Sequence, residues 1–247
     1  MRVFVDIGGY LGHSALAALD PIFNFDRVLC FEPVPHLAKQ IRAIGNKKLL
    51  VVEAALSDRE GRAILHHAGT LAGSLFAEAP SYGGETDPIE IVTLRASSFL
   101  SALLPSDAFV RTKFNCEGAE ALIIRDILGS GKIELCEQIL CGALIDFDID
   151  KIERGQRTRT EIESALADRQ ITYWTPPECQ YGMVTNYGAV RNYLILSGAA
   201  LPGFFPRLRS LFYNLRLLKN PELNGYHKMK ILKVFPSLRR FAKSVSK

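Results

Sequence analysis

The chain has 247 residues, 48% hydrophobic and 23% charged. That is ordinary globular composition, enough for one α/β domain with an appendage, and it excludes a disordered or low-complexity chain. Net charge is +4 but uneven: residues 201–247 hold eleven Lys/Arg and one acid, Glu222, so this segment carries +10 and residues 1–200 carry −6.

Five cysteines (Cys30, Cys116, Cys136, Cys141, Cys179) are odd in number and form no C-x-x-C, which speaks for free thiols rather than a disulfide or zinc framework. The first apolar run, Val3 to Ile7, is too short for a secretory signal, and no apolar stretch approaches the roughly 20 residues of a membrane span. A cytoplasmic chain is expected.

Residues 2–8, RVFVDIG, read as a strand ended by glycine, and a helix is predicted from about His13 to Leu19. VLCFE (28–32) is a second strand, Leu37 to Ile44 a helix with Pro35 near its start, and LLVVEAAL (49–56) a third strand. This alternation predicts a parallel sheet. RAILHH (62–67) and IEIVTL (89–94) alternate as shorter strands, and the His66-His67 pair is expected to be exposed. Between them, Gly69 to Asp87 is a long Gly/Ala/Ser/Pro-rich stretch, read as a lid or a plain surface excursion. Phe99 to Leu104 is a short helix, Phe109 to Phe114 a strand, and the next helix runs to about Leu128. Glu137 to Asp146 is predicted as a buried strand and Thr160 to Arg169 as a helix. Ile171–Thr175 and Val190–Leu196 are expected as closing strands, paired in a hairpin. Leu208, Leu211, Phe212, Leu215 and Leu218 fall at helical spacing among Arg207, Arg209, Arg216 and Lys219, and Leu232 to Phe241 suggest a second such helix. The expected organisation is one domain over residues 1–200 and a basic amphipathic extension over 201–247.

Asp6-x-Gly8-Gly9-x-x-Gly12 lies between a strand and a helix, where glycine lets backbone approach a ligand. Glu32 follows Gly12 by 20 residues at the end of the second strand, the place where nucleoside-binding folds put an acid to accept hydrogen bonds from ribose hydroxyls. The pair points to a nucleoside cofactor. Tyr10 stands where the dinucleotide fingerprint needs a second glycine for close approach to a pyrophosphate. That favours S-adenosylmethionine, which has no pyrophosphate, over NAD.

Three stretches together resemble the FkbM family of S-adenosylmethionine-dependent methyltransferases: VFVDIGGYLG (3–12), VLCFEPVPHL (28–37) with VVEAALSDREG (51–61), and TKFNCEGAEALII (112–124). The resemblance covers roughly residues 3–128. It implies a Rossmann-like class I methyltransferase fold, a mostly parallel seven-stranded sheet with a terminal antiparallel hairpin strand. It also implies S-adenosyl-L-methionine as cofactor and O-methylation of sugars or related hydroxyls. By that resemblance Asp6, Gly8, Gly9 and Gly12 shape the methionine end of the site, Glu32 holds the ribose, and Ser57 and Asp58 lie beside the adenine. Lys113, Asn115, Glu117 and Glu120 form the block after the fourth strand. Asn115 stands where the family commonly has aspartate; it can hydrogen-bond cofactor or substrate but cannot be a base.

A neutral alcohol must lose its proton as it attacks a methyl group, and a placed base contributes about 10²–10⁴-fold. Glu117 ranks first on position, with His13, His36 and Asp146 as further candidates and Asn115 and Lys113 beside it. A structural alternative for the block is an ion pair between Lys113 and Glu120 that fixes the turn. Asp146, Asp148 and Asp150 lack the glycine and terminal glutamate of a calcium loop and read as a solvated strand end, so no metal is expected. The partner expected is a small-molecule or glycan hydroxyl acceptor. The basic extension either packs on the domain or docks on anionic membrane; nucleic acid is not expected. The alternatives are an NAD-dependent oxidoreductase and a non-catalytic, methyltransferase-like adaptor.

Overall fold

The computed structural model describes residues 1–70, 72–79, 86–147, 155–175 and 187–219. The first apolar run becomes a strand buried on both faces: in β1 (Arg2–Ile7), Val3, Val5 and Ile7 enter one core cluster and Phe4 the other. Neither face is left to solvent, which is why the run is apolar but for Asp6, whose charge is met by Lys113. Then come α1 (His13–Ala18), β2 (Arg27–Phe31), α2 (Pro35–Arg42) and β3 (Leu49–Val52). Pro35 occupies the first turn of α2, where a missing N–H leaves no bond unmade.

The expected strand 49–56 is two strands in two sheets. Glu53 turns outward to pair with Arg42 at 2.7 Å, and the chain bends there. Beyond the bend, β4 (Ala55–Ser57) joins β5 (Gly61–Leu65) and β6 (Ile89–Arg95) in a small second sheet of order β4-β6-β5.

The remaining elements are α3 (Ala96–Leu103), β7 (Phe109–Phe114), α4 (Glu120–Gly129), α5 (Ile133–Leu140), β8 (Ala143–Ile145), α6 (Gly155–Asp168), β9 (Tyr173–Trp174), α7 (Tyr187–Leu196) and α8 (Phe204–Lys219). The main sheet has order β3-β2-β1-β7-β8-β9, with every pairing parallel. One core cluster joins this sheet to α3, α4, α5 and α6, and the other joins it to α1, α7 and α8. The architecture is α/β, with a Rossmann-like parallel sheet covered on both faces.

Among the described residues the main sheet has six strands. Two expectations are corrected here. The terminal antiparallel hairpin is not formed: β9 runs parallel to β8, and residues 190–196 belong to helix α7. That helix is wedged against α1 and the sheet, with Tyr187, Ala189, Val190, Tyr193 and Leu194 buried, and the Tyr193 hydroxyl donates to the carbonyls of Thr112 and Gly142. Finally, the run 137–146 is the end of a helix and a short strand. Glu137 to Leu140 complete α5, Gly142 turns the chain at φ +73°, and only Ala143–Ile145 pair in the sheet.

α8 lies against the domain. The Tyr213 hydroxyl donates to the carbonyl of Leu16, and Leu217 enters the same core cluster as α1 and α7. The second expected tail helix, the Asp148 and Asp150 positions and Cys179 fall outside the described residues. No helix among the described residues is long and apolar enough to cross a membrane.

Candidate functional site

Strand order reverses between β1 and β7, so the loops leaving their carboxyl ends diverge and leave a crevice. The β1–α1 loop is built around this point. Gly8 (φ +87°) lies so close to β7 that a Cβ would collide with the carbonyl oxygen of Asn115, and a Cβ on Gly9 would strike the Cys30 sulfur. The N–H groups of Gly8 and Gly9 both donate to the Phe31 carbonyl, at 3.2 and 3.0 Å. The N–H of Gly12 donates to the Gly9 carbonyl at 2.8 Å, and that of Tyr10 to Glu32 at 2.6 Å. Four loop N–H groups thus have internal acceptors.

Glu32 directly follows β2 and is almost fully buried. One carboxylate oxygen accepts from Tyr10, the other from the Val34 N–H at 2.9 Å. Burial pushes this carboxyl up to about 7, while the two N–H donors pull the other way. Each carboxylate oxygen has two acceptor positions, so one on each remains after these bonds.

Asp6 and Lys113 sit in register on β1 and β7. Both side chains are fully buried and their charged atoms are 3.0 Å apart; Lys113 also donates to the Gly8 carbonyl at 2.5 Å. Burial pushes the Asp6 carboxyl above its usual range, against the pull of Lys113. This pair ties the glycine loop to β7 from beneath. Neither Asp6 nor Lys113 is among the residues that line the cleft.

The turn after β7 is held by Glu120. Its fully buried carboxylate accepts from the N–H groups of Cys116 and Gly118. Glu120 therefore fixes the turn, but through backbone donors rather than an ion pair with Lys113. The turn places Glu117 in the left-handed region at φ +50° and turns it and Asn115 into the cleft. Asn115 donates to the Asp146 carboxylate at 3.3 Å.

The cleft encloses about 720 Å³, part of it open to solvent. Its floor and polar edge are Ile7, Gly8, Tyr10, Glu32, Asn115 and Glu117; Phe31, Val34, Leu37, Leu56 and Leu65 give it an apolar wall. The opposite wall falls in the Gly69-to-Asp87 stretch, for which a lid is one of the two readings from sequence. It comes from the stretch after β5, where His66 and Ser74 form a bridge and the Ser74 hydroxyl donates to the Glu117 carbonyl at 2.7 Å. Thr70, Gly73 and Leu75 of this stretch line the cleft. Its small, glycine-rich composition was the available signal, since only such residues fit a tight turn against a ligand space. His66 and His67 are half-buried rather than exposed, and the His67 ring contacts the Ala79 carbonyl at 3.2 Å.

Of the residues singled out from sequence, Gly8, Glu32, Asn115 and Glu117 line the cleft. Gly9 and Gly12 shape the loop behind it. Ser57 is buried, with its hydroxyl bonded to Asp58 at 3.0 Å, and neither residue lines the cleft. His13 is buried in α1 and His36 is exposed on α2; neither lines it. No cluster of ligating side chains suited to a metal occurs among the described residues. Comparison of the chain with protein-family models, curated proteins and solved structures found no match.

Proposed function

We propose that the chain is an S-adenosylmethionine-dependent methyltransferase acting on oxygen, with a sugar, glycan or related hydroxyl as acceptor. The observation that carries this reading is Glu32. It is a buried carboxylate at the end of β2, beside the switch point of a parallel sheet, with acceptor positions left facing a cleft. Such a group suits a ribose diol. The apolar wall of Phe31, Val34, Leu37 and Leu56 suits a purine, and Gly8 and Asn115 would meet the amino-acid end.

The cofactor supplies a strongly electrophilic methyl group when bound. The chain's own part is to orient an acceptor hydroxyl, exclude water and take a proton; positioning alone is worth up to about 7–11 kcal/mol. Glu117 is the carboxylate placed to accept that proton, and Asn115 to hold the acceptor or the cofactor through its amide. Lys113 and Asp6 act as positioning residues, holding the loop that carries Gly8. A cytoplasmic enzyme, peripheral at the inner face of a membrane, would suit a lipid-linked acceptor.

A second reading, an NAD-dependent oxidoreductase, is favoured by one observation: the six parallel strands follow the order of dinucleotide-binding folds. Against it, the loop N–H groups that would cradle a pyrophosphate are already bonded, and Tyr10 fills the approach. A non-catalytic adaptor remains the third reading, resting on Asn115 in place of an acid. Titration calorimetry with S-adenosylmethionine and with NAD separates the first two. Saturable binding of NAD alone overturns the methyltransferase reading. Binding of S-adenosylmethionine without transfer of labelled methyl to any of a panel of glycans favours the adaptor.

A further inference from the structure

α8 turns much of its apolar surface outward. Its docked face is mixed: Leu217 is buried beside Ser210 and Asn214, and these two polar side chains donate to the Asp20 carboxylate, at 2.8 and 3.1 Å. Arg191 reaches the same carboxylate at 3.4 Å, and the Tyr187 hydroxyl donates to Asn214 at 2.7 Å. At 3.6 residues per turn, Phe204, Leu208, Leu211, Phe212 and Leu215 share the opposite face, with Phe205 at its margin. Phe204, Phe205 and Phe212 are 70%, 72% and 57% exposed. An ordinary surface helix buries its apolar stripe and exposes its polar one. Here the Asp20 network holds the phenyl rings outward, because rolling α8 to bury them would take two donors, Ser210 and Asn214, from a buried carboxylate.

Leu208 and Leu215 are half-buried, while the three phenyl rings and Leu211 stay exposed, and exposed apolar groups gathered on one helix in this way mark a docking surface. The charges around it identify the occupant. α8 contains Arg207, Arg209, Arg216 and Lys219 and no acid. A second copy docking through its own α8 would set like charges against each other. An anionic bilayer offers both halves of the match: acyl chains for the phenyl and leucyl groups, and phosphates within reach of the guanidinium groups. We propose that α8 is an interfacial helix lying in the surface of an anionic membrane, held in that attitude by the buried Asp20–Ser210–Asn214 network. The surface is separate from the cleft, and the proposal stands whatever the cleft binds.

The test is co-sedimentation of the full chain with vesicles of phosphatidylglycerol and phosphatidylcholine, against vesicles of phosphatidylcholine alone. Binding is expected only to the anionic vesicles and should fall with added salt. The triple substitution Phe204→Ser, Phe205→Ser, Phe212→Ser should lower partitioning by about tenfold or more, given roughly 0.8 kcal/mol for each buried methylene equivalent. Arg209→Gln with Arg216→Gln should lower it and flatten the salt dependence. Unchanged thermal unfolding shows that the variants remain folded, since every substituted side chain is exposed. Failure of the native chain to bind overturns the proposal. So does binding that survives the triple substitution, which would place the contact elsewhere in the chain. Self-association by light scattering that the triple substitution abolishes would assign the strip to a second copy instead.

Discussion

Lys113 is a charge with no access to water, and its partner Asp6 is equally enclosed. Such a pair is a weak source of net stability, but removing one member strands the other, at a cost of about 3–5 kcal/mol. Lys113→Met is therefore expected to lower stability by about that amount in urea denaturation. Adding Asp6→Asn should restore part of it, and a double-mutant cycle without coupling would refute the pairing. Glu32 gives a second test at this scale. Its carboxyl is held up at about 7 in the fold against an ordinary value near 4.5. Between these values the folded chain binds more protons than the unfolded one, so this group makes stability fall as pH rises through the window and level off above it. Ligand hydroxyls that donate to Glu32 favour its ionised form. Affinity for a ribose-bearing ligand should therefore rise with pH up to about 7 and flatten beyond, and Glu32→Ala should weaken binding and remove that dependence. Calorimetry across pH reads both; a flat profile in the native chain means that the ribose is not on Glu32.

At the scale of elements, β1 and β2 were legible because they are buried on both faces and so read as largely apolar runs between helix signals. The same physics misleads at α7. A helix enclosed by α1 and the sheet is apolar on most sides, so YGAVRNYLIL carries no helical period and passes for a strand. The 137–146 run fails for a related reason: Ile139 and Leu140 of α5 and Ala143 to Ile145 of β8 are all buried, with only Gly142 between them to mark the change. In the site, Glu32 and the block from Asn115 to Glu120 were legible as sequence motifs. The Asp6–Lys113 pair was not, since 107 residues separate its members and only the β1–β7 register joins them. The tail showed its apolar spacing, but not that Ser210 and Asn214 would dock together with Leu217. Asp20→Ala tests that docking. It takes the Asp20 carboxylate away from Ser210, Asn214, Arg191 and the Ile22 N–H, at a cost on the order of 3 kcal/mol. α8 should then loosen, and trypsin should cut at Arg207 and Arg209 faster than in the native chain while the β1-to-β9 body resists. Equal cutting rates would mean that the network does not hold the helix.

For the whole molecule, the sheet order alone is compatible with either cofactor weighed above, and the proposed choice between them rests on how the β1–α1 loop uses its donors. A loop whose Gly8, Gly9, Tyr10 and Gly12 N–H groups are bonded within the fold offers little to a pyrophosphate, yet Glu32 keeps acceptor positions toward the cleft. A ligand held by Glu32 touches the β1 loop, the end of β2, the turn after β7 and the wall from Thr70 to Leu75 at once. It therefore binds only the assembled fold and must stabilise the whole chain. At a concentration one hundred times its dissociation constant, the gain is about 2.7 kcal/mol. For a chain of this size, that raises the unfolding midpoint by about 5–10 °C. S-Adenosylmethionine should give this shift in a thermal scan, NAD should give none at comparable concentration, and Glu32→Ala should reduce the S-adenosylmethionine shift sharply without abolishing cooperative unfolding. A shift with NAD alone would mean that the loop rearranges to free its N–H groups, and the order of the sheet would then be the better guide to function than the loop.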